Sequence, residues 1–383
     1  MKDYSCTHLI FIALAIIWLP LQKVYAQSGG YQFKEHIRLP ATSVKDQGRT
    51  GTCWCFGTLS FMESELLRMD KGIYDLSEMF VVRQSYLDRA ELYMRFHGNI
   101  NFGPGAEGWD VIHVMKDDGL VPQKTFPGKM QGGENHNHKE MDAVLEGYVD
   151  ALMKSDADPL SPLWKDGFKG ILNAYLGAYP SAFTYRDNRY APQSFLAKLE
   201  LDPDDYIPVT AFSNHPYYSQ YVFESPDNWS MELIYNVTLD DLIRIIDYSL
   251  EQGYTLAWAA DVSDPGFQYE SGIAVVPGTD WDHMTGAEKN RVFESPVDQK
   301  EITMEMRQRA FDNHSTTDDH LMHITGMAKD QKGTKYYIVK NSWGTSNVYD
   351  GYLYASEAYV QLKTTSLVVN RNAIPSDIRE KLK

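Results

Sequence analysis

Cysteine is nearly absent from this chain: its 383 residues hold three, Cys6, Cys53 and Cys55. Cys53 and Cys55 stand two apart in one predicted helical turn, where a bridge between them is geometrically unfavourable. A disulfide framework is excluded, so a core must hold the chain together, and its length allows one. A Cys-x-Cys pair without further cysteines cannot complete a metal site, so neither metal nor any other cofactor is expected. Positive charge is also scarce, with 36 Lys and Arg against 52 Asp and Glu. An acidic surface argues against nucleic acid and anionic lipid as partners. No long apolar run follows residue 21, and there is no internal repeat or low-complexity tract.

The one long apolar run is Leu9 to Leu21, behind Lys2 and ahead of Val24-Tyr25-Ala26. It is short for a membrane span, and small residues follow where a signal peptidase reads. The reading is a signal peptide over 1–26, with Gln27 as the new N-terminus. The protein is then exported, periplasmic or extracellular, with membrane contact only during export. An uncleaved anchor is the alternative. Removing Lys2, Lys23 and Asp3 leaves 357 residues with 34 basic and 51 acidic side chains, a net charge of 34 − 51 = −17.

Periodicity divides the rest. Phe56, Leu59, Ser60, Glu63, Leu66 and Leu67 have helical spacing starting just after Cys53. Residues 77–95 read as helix, and a helix opened by the loop Gly103–Asp110 stops at Gly119. Met141, Val144, Leu145, Tyr148 and Leu152, then Phe168, Ile171, Leu172 and Tyr175, predict two more helices. Gly132 to His138 reads as a polar loop, and a solvated loop is favoured over a metal site at His136-x-His138. From about residue 206 strands take over: 256–262, 320–327, 336–340 and 351–354. Among them Thr238 caps a helix ended by Gly253. The expected fold class is α+β with two lobes: a helical lobe at 27–130, a helical insertion at 131–205 and a β-rich lobe at 206–383, with a cleft between the lobes.

Three side chains carry the chemistry. Cys53 lies in Gln47-Gly48-Arg49-Thr50-Gly51-Thr52-Cys53-Trp54, His320 follows Asp319, and Asn341 opens Asn341-Ser342-Trp343-Gly344. A thiol, an imidazole and an amide in that order are the parts of a cysteine nucleophile, its base and its orienter. This resembles the papain-like cysteine peptidases, whose signature at the nucleophile is matched by Thr50 to Trp54. Thr50 stands where that signature has a cysteine, so the family disulfide from that position cannot form.

The resemblance implies a two-lobed papain-like fold, with a helical lobe bearing the nucleophile and a β-barrel-like lobe bearing His and Asn. It implies Cys53, His320 and Asn341 as catalytic residues and Gln47 as oxyanion donor beside the backbone N–H of Cys53. Trp54 and Trp343 are supporting residues, with Trp343 covering the His320–Asn341 bond. Gly108 and Trp109 fall where the family's substrate-binding loop lies. Cys55 is expected as a small buried side chain, and His323, His314 and His283 as weaker candidates for the base. The substrate is a peptide or protein, and a homo-oligomer is compatible with the sequence.

Within the family, the bleomycin hydrolase and aminopeptidase C branch is the nearest likeness. Cys53 and His320 are 320 − 53 = 267 positions apart, wider than papain-type spacing. Gly108-Trp109-Asp110, Asp117 to Pro122 and Val368 to Arg371 add local agreement. That branch continues into a C-terminal arm that limits cutting to the substrate's amino end. Lys383 comes soon after Ile374-Pro375, so the arm is expected to be absent and the cleft open to internal bonds, giving endopeptidase or mixed activity; the alternative is that the insertion at about 130–205 blocks the cleft in the arm's place and leaves an aminopeptidase. An inactive peptide-binding relative and a thiol acyltransferase or amidase with the same triad remain as alternatives.

Overall fold

The computed structural model of the chain describes residues 30–128, 135–157 and 159–382. The proposed signal peptide and Gly132-Gly133-Glu134 lie outside them. An edge strand, β1 (Lys34–Arg38), leads into three helices: α1 (Cys53–Arg68), α2 (Glu78–Arg95) and α3 (Gly108–Asp118). The Ser77 hydroxyl caps α2 by accepting from Phe80 N, 3.0 Å. Gly119 ends α3 at a φ of 84°, a conformation that glycine adopts without a Cβ clash. Thirteen of the 16 residues of α1 are buried, making it the central helix.

Next come α4 (Lys139–Met153), α5 (Leu163–Tyr175), the hairpin of β2 (Phe183–Tyr185) and β3 (Asn188–Tyr190), and α6 (Pro192–Leu199). Leu145, Phe168, Leu172 and Phe195 join one apolar cluster with Phe61, Val82 and Trp109. The stretch read as an insertion thus contributes to the helical core. The hairpin, whose turn residues Arg186 and Asp187 have positive φ, was not legible. His136 and His138 are buried at 5% and 3% exposure, which corrects the solvated-loop reading. Backbone bonds between Arg49 and both histidines hold them in place.

The remaining chain builds one sheet. Its elements are β4 (Tyr206–Thr210), β5 (Gln220–Val222), β6 (Leu233–Asn236), α7 (Leu239–Glu251), β7 (Leu256–Ala260), β8 (Phe267–Gln268) and β9 (Ile273–Ala274). They are followed by α8 (Gly286–Glu294), α9 (Met304–Asp312), β10 (His320–Lys329), β11 (Lys335–Lys340), β12 (Tyr352–Ser356), α10 (Glu357–Lys363), β13 (Thr364–Asn370) and α11 (Ser376–Arg379). The order is β5-β6-β4-β13-β7-β10-β11-β12-β9-β8, with β1 added on β10. The β4–β6 and β9–β12 pairs are parallel and the rest antiparallel. The result is a mixed sheet, not a closed barrel. The register of β10 shifts between Ile324 and Gly326. Before the shift β10 pairs with β7, and after it with β1. Gly326 is required there, because a Cβ would strike the Ile37 carbonyl.

Strand alternation gives β10 two faces. Leu321 packs into the core that α1 shares, while Met322 and Ile324 join the opposite cluster around α7. The nucleophile candidate thus begins the central helix, and the base candidate begins the strand lying against it.

Candidate active site

Cys53 is the first residue of α1, where unpaired backbone N–H groups favour a negative charge. Its thiol is half-buried, and the backbone N–H groups of Leu321 and Trp54 face the sulfur. The residue after His320 therefore stands directly against it. Burial pushes the thiol up to about 12, and those N–H groups pull the other way. Cys55 is fully buried, and its thiol donates to the Glu78 carbonyl at 3.4 Å. It is a packed side chain, as its place on the helix suggested.

His320 is 4% exposed, with Nε2 2.7 Å from Asn341 Oδ1. The same Oδ1 accepts from Ser342 N at 2.8 Å, which fixes the orientation of the amide. An oxygen there can only accept, so Nε2 carries the hydrogen and Nδ1 is free to take a proton. The Trp343 ring lies over the imidazole, with centroids 4.5 Å apart. Trp343 is braced by Tyr269, whose hydroxyl donates to the Gly344 carbonyl at 2.7 Å. Burial lowers the His320 imidazole to about 4, with the Asn341 bond opposing that shift.

His323 lies on the other face of β10 and is fully buried. Its Nδ1 is 2.9 Å from Ser60 Oγ, which also accepts from Lys340 Nζ at 2.7 Å. It is thus tied into the lobe interface under α1.

Gln47 is held at both ends of its amide. Oε1 accepts from Ser342 Oγ at 2.6 Å, and Nε2 donates to the Thr50 carbonyl at 3.0 Å. One Nε2 hydrogen is left to donate, in the manner of an oxyanion donor. Trp54 is 2% exposed, and its Nε1 donates to the Pro104 carbonyl at 3.0 Å.

Gly108 and Trp109 are the first two residues of α3. A Cβ on Gly108 would press on Val368 and Thr58, and Trp109 is 2% exposed with Nε1 bonded to Asn228 Oδ1 at 3.2 Å. Both are packing positions, and the indole offers no open face to a substrate. What the sequence did not reveal is the loop 223–232 between β5 and β6. Asp227 Oδ1 accepts from Asn101 Nδ2 at 3.0 Å on the helical side. Ser225 Oγ donates to Asp318 Oδ2 at 3.1 Å on the sheet side, two residues before His320. The loop spans the two walls beside Cys53. No periodicity or motif marks it.

No three His, Cys, Asp or Glu side chains among the described residues are placed to hold one metal ion.

The profile of the Peptidase C1-like family matches residues 179–383. Aminopeptidase G of Lactobacillus delbrueckii subsp. lactis is 23% identical over 90% of this chain and 84% of its own length. Human bleomycin hydrolase is 20% identical over 94% and 86%. Among solved structures, PepW of Lactobacillus rhamnosis superposes with a TM-score of 0.71 at 19% identity, covering 91% of this chain and 84% of its own.

Proposed function

Since the chain belongs to the Peptidase C1-like family and is a papain-like cysteine peptidase, we propose that Cys53, His320 and Asn341 carry out its hydrolysis of peptide bonds. His320 Nδ1 takes the Cys53 proton, and the thiolate attacks the carbonyl carbon. The oxyanion is met by the free N–H of Gln47 Nε2 and the backbone N–H of Cys53. The imidazolium then protonates the leaving amine, and water hydrolyses the thioester. Burial disfavours each charge alone, but transfer between the two groups creates an ion pair whose attraction offsets both costs. The observation that carries this reading is the His320–Asn341 bond under Trp343, which leaves Nδ1 as the proton acceptor.

Removal of residues from the amino end is favoured over internal cleavage. Supporting this, the relatives named above include an aminopeptidase, and the loop 223–232 is bonded to both sides of the site, to Asn101 and to Asp318. Export is part of the proposal and rests on Lys2, the run from Leu9 to Leu21, and Ala26. A peptide panel with product masses tests the chemistry. Hydrolysis products are expected. Transfer products would favour the acyltransferase reading, and binding without turnover an inactive relative. Sequencing the secreted protein from Gln27 tests export, and retention of residues 1–26 would contradict it.

A further inference from the structure

Beside Cys53 three carboxylates gather, with the Arg89 guanidinium as the cation that acts on Asp227. Asp318 accepts from Ser225 Oγ at 3.1 Å and from Thr365 Oγ1 at 2.8 Å. Asp227 Oδ2 lies so close to Gly105 that a Cβ there would collide with it. Glu107 sits behind them at 1% exposure, its Oε1 receives no hydrogen bond, and its carboxyl faces that of Asp318. Among the described residues none of the three is in an ion pair at salt-bridge distance. The nearby Arg89 guanidinium donates to the Gly103 and Gly105 carbonyls and stacks on Trp229 at 4.8 Å.

This arrangement works against the nucleophile. Burial and then Asp318 raise the Glu107 carboxyl well above its usual range, and the same two causes raise Asp227 to about 6. After its own burial, Asp318 and Asp227 add to the upward push on the Cys53 thiol. Anions beside a group that must become an anion make sense when the substrate brings a cation. An ammonium group needs only two or three separate acceptors around it. Asp227 and Asp318 are half-exposed, with Glu107 as the floor. The cation could come from an amino terminus or a lysine side chain. A chain running on past this point would meet the loop 223–232, which favours the terminus.

We propose that Glu107, Asp227 and Asp318 form a subsite for the α-ammonium group of a peptide substrate, holding its amino end in register with Cys53. This rests on the peptidase reading and deepens it. Docking the ammonium group also neutralises the charge facing the sulfur, so a free amino end promotes thiolate formation as well as binding.

The test measures binding by calorimetry to the full chain carrying Cys53→Ala. Its probes are one peptide with a free amino end, its N-acetyl form, and an N-acetyl form beginning with lysine. Acetylation is expected to weaken Kd roughly ten- to hundredfold, the range of charge-assisted hydrogen bonds, and the lysine form not to recover it. Adding Asp227→Asn or Asp318→Asn should bring the free-to-acetyl ratio close to one while changing the acetyl peptide little. Equal Kd values for the free and acetylated forms would overturn the proposal. So would a ratio that survives both substitutions, or recovery by lysine. Wild-type turnover is read separately: its absence on every peptide contradicts the peptidase reading, while the Kd ratio still decides the subsite.

Discussion

On one wall of the site Ser342 Oγ donates to Gln47, Ser342 N donates to Asn341 Oδ1, and that oxygen accepts from His320. On the other, Glu107 Oε1 receives no hydrogen bond, and among the described residues neither Asp227 nor Asp318 is in a salt bridge, Arg89 acting on Asp227 only from nearby. The first wall is bonded mostly to itself and leaves one N–H of Gln47 and Nδ1 of His320 to act, while the buried Asn341 Nδ2 has no partner among the described residues. The second is left short of positive charge. Bonded networks fix geometry, whereas carboxyls crowded together, raised as Glu107 and Asp227 are, take up full charge only when a cation joins them. The contrast assigns chemistry to the first wall and selection to the second.

Breaking the first wall should give the largest effects. Cys53→Ser and His320→Ala are each expected to lower kcat/KM by at least about a thousandfold, while Cys55→Ser retains most activity. His323→Ala should keep its activity per folded molecule and lose thermal stability, since His323 bonds only within the lobe interface. Loss of activity equal to that of His320→Ala would reverse the two assignments. Gln47→Ala is expected to lower kcat about a hundredfold, as for one oxyanion donor, with an unchanged circular dichroism spectrum. Loss of that spectrum would make Gln47 structural.

Asn341→Ala should cost less, about tenfold, because Asn341 orients and transfers no proton. Its bond raises the His320 pKa against the lowering by burial, so its removal should move the acid limb of kcat/KM to lower pH. A shift to higher pH would contradict this.

The smallest effects concern stability, and here the buried histidines and the raised carboxyl have opposite signs. His320 and His138 are lowered to about 4 from an unfolded value of 6.5. Below pH 6.5 the unfolded chain takes the proton first, so stability is lost as pH falls toward 4. Asp227 is raised from 3.8 to about 6, so its penalty is present above pH 6 and disappears below 3.8. Asp227→Asn should therefore raise Tm at pH 7 and leave it unchanged at pH 3.5, while His138→Asn should flatten the fall in Tm between pH 6.5 and 4. A Tm gain for Asp227→Asn that persists at pH 3.5 would show a cause other than charge.

Much of the first wall was legible because local spacing encodes it. Cys53 at a helix start, His320 and His323 on opposite faces of a strand, and Thr238 as a helix cap follow from periodicity and short signatures. The second wall was not legible, because Glu107, Asp227 and Asp318 meet only through tertiary structure, and lone acidic residues in loops read as solvated. Burial of His136 and His138 was missed for the same reason: their backbone partner is Arg49, far off in sequence. Strand β13 has all seven residues buried, so it lacks the alternation that marks a half-exposed strand.

The central claim is that Cys53 is the nucleophile activated by His320. Alkylation by iodoacetamide at pH 6, followed residue by residue by mass spectrometry, tests it most directly. Rapid labelling of Cys53, slow labelling of Cys55 and a large loss of the Cys53 rate in His320→Ala are expected. Labelling that falls mainly on Cys55, or a Cys53 rate unchanged in His320→Ala, would contradict the account.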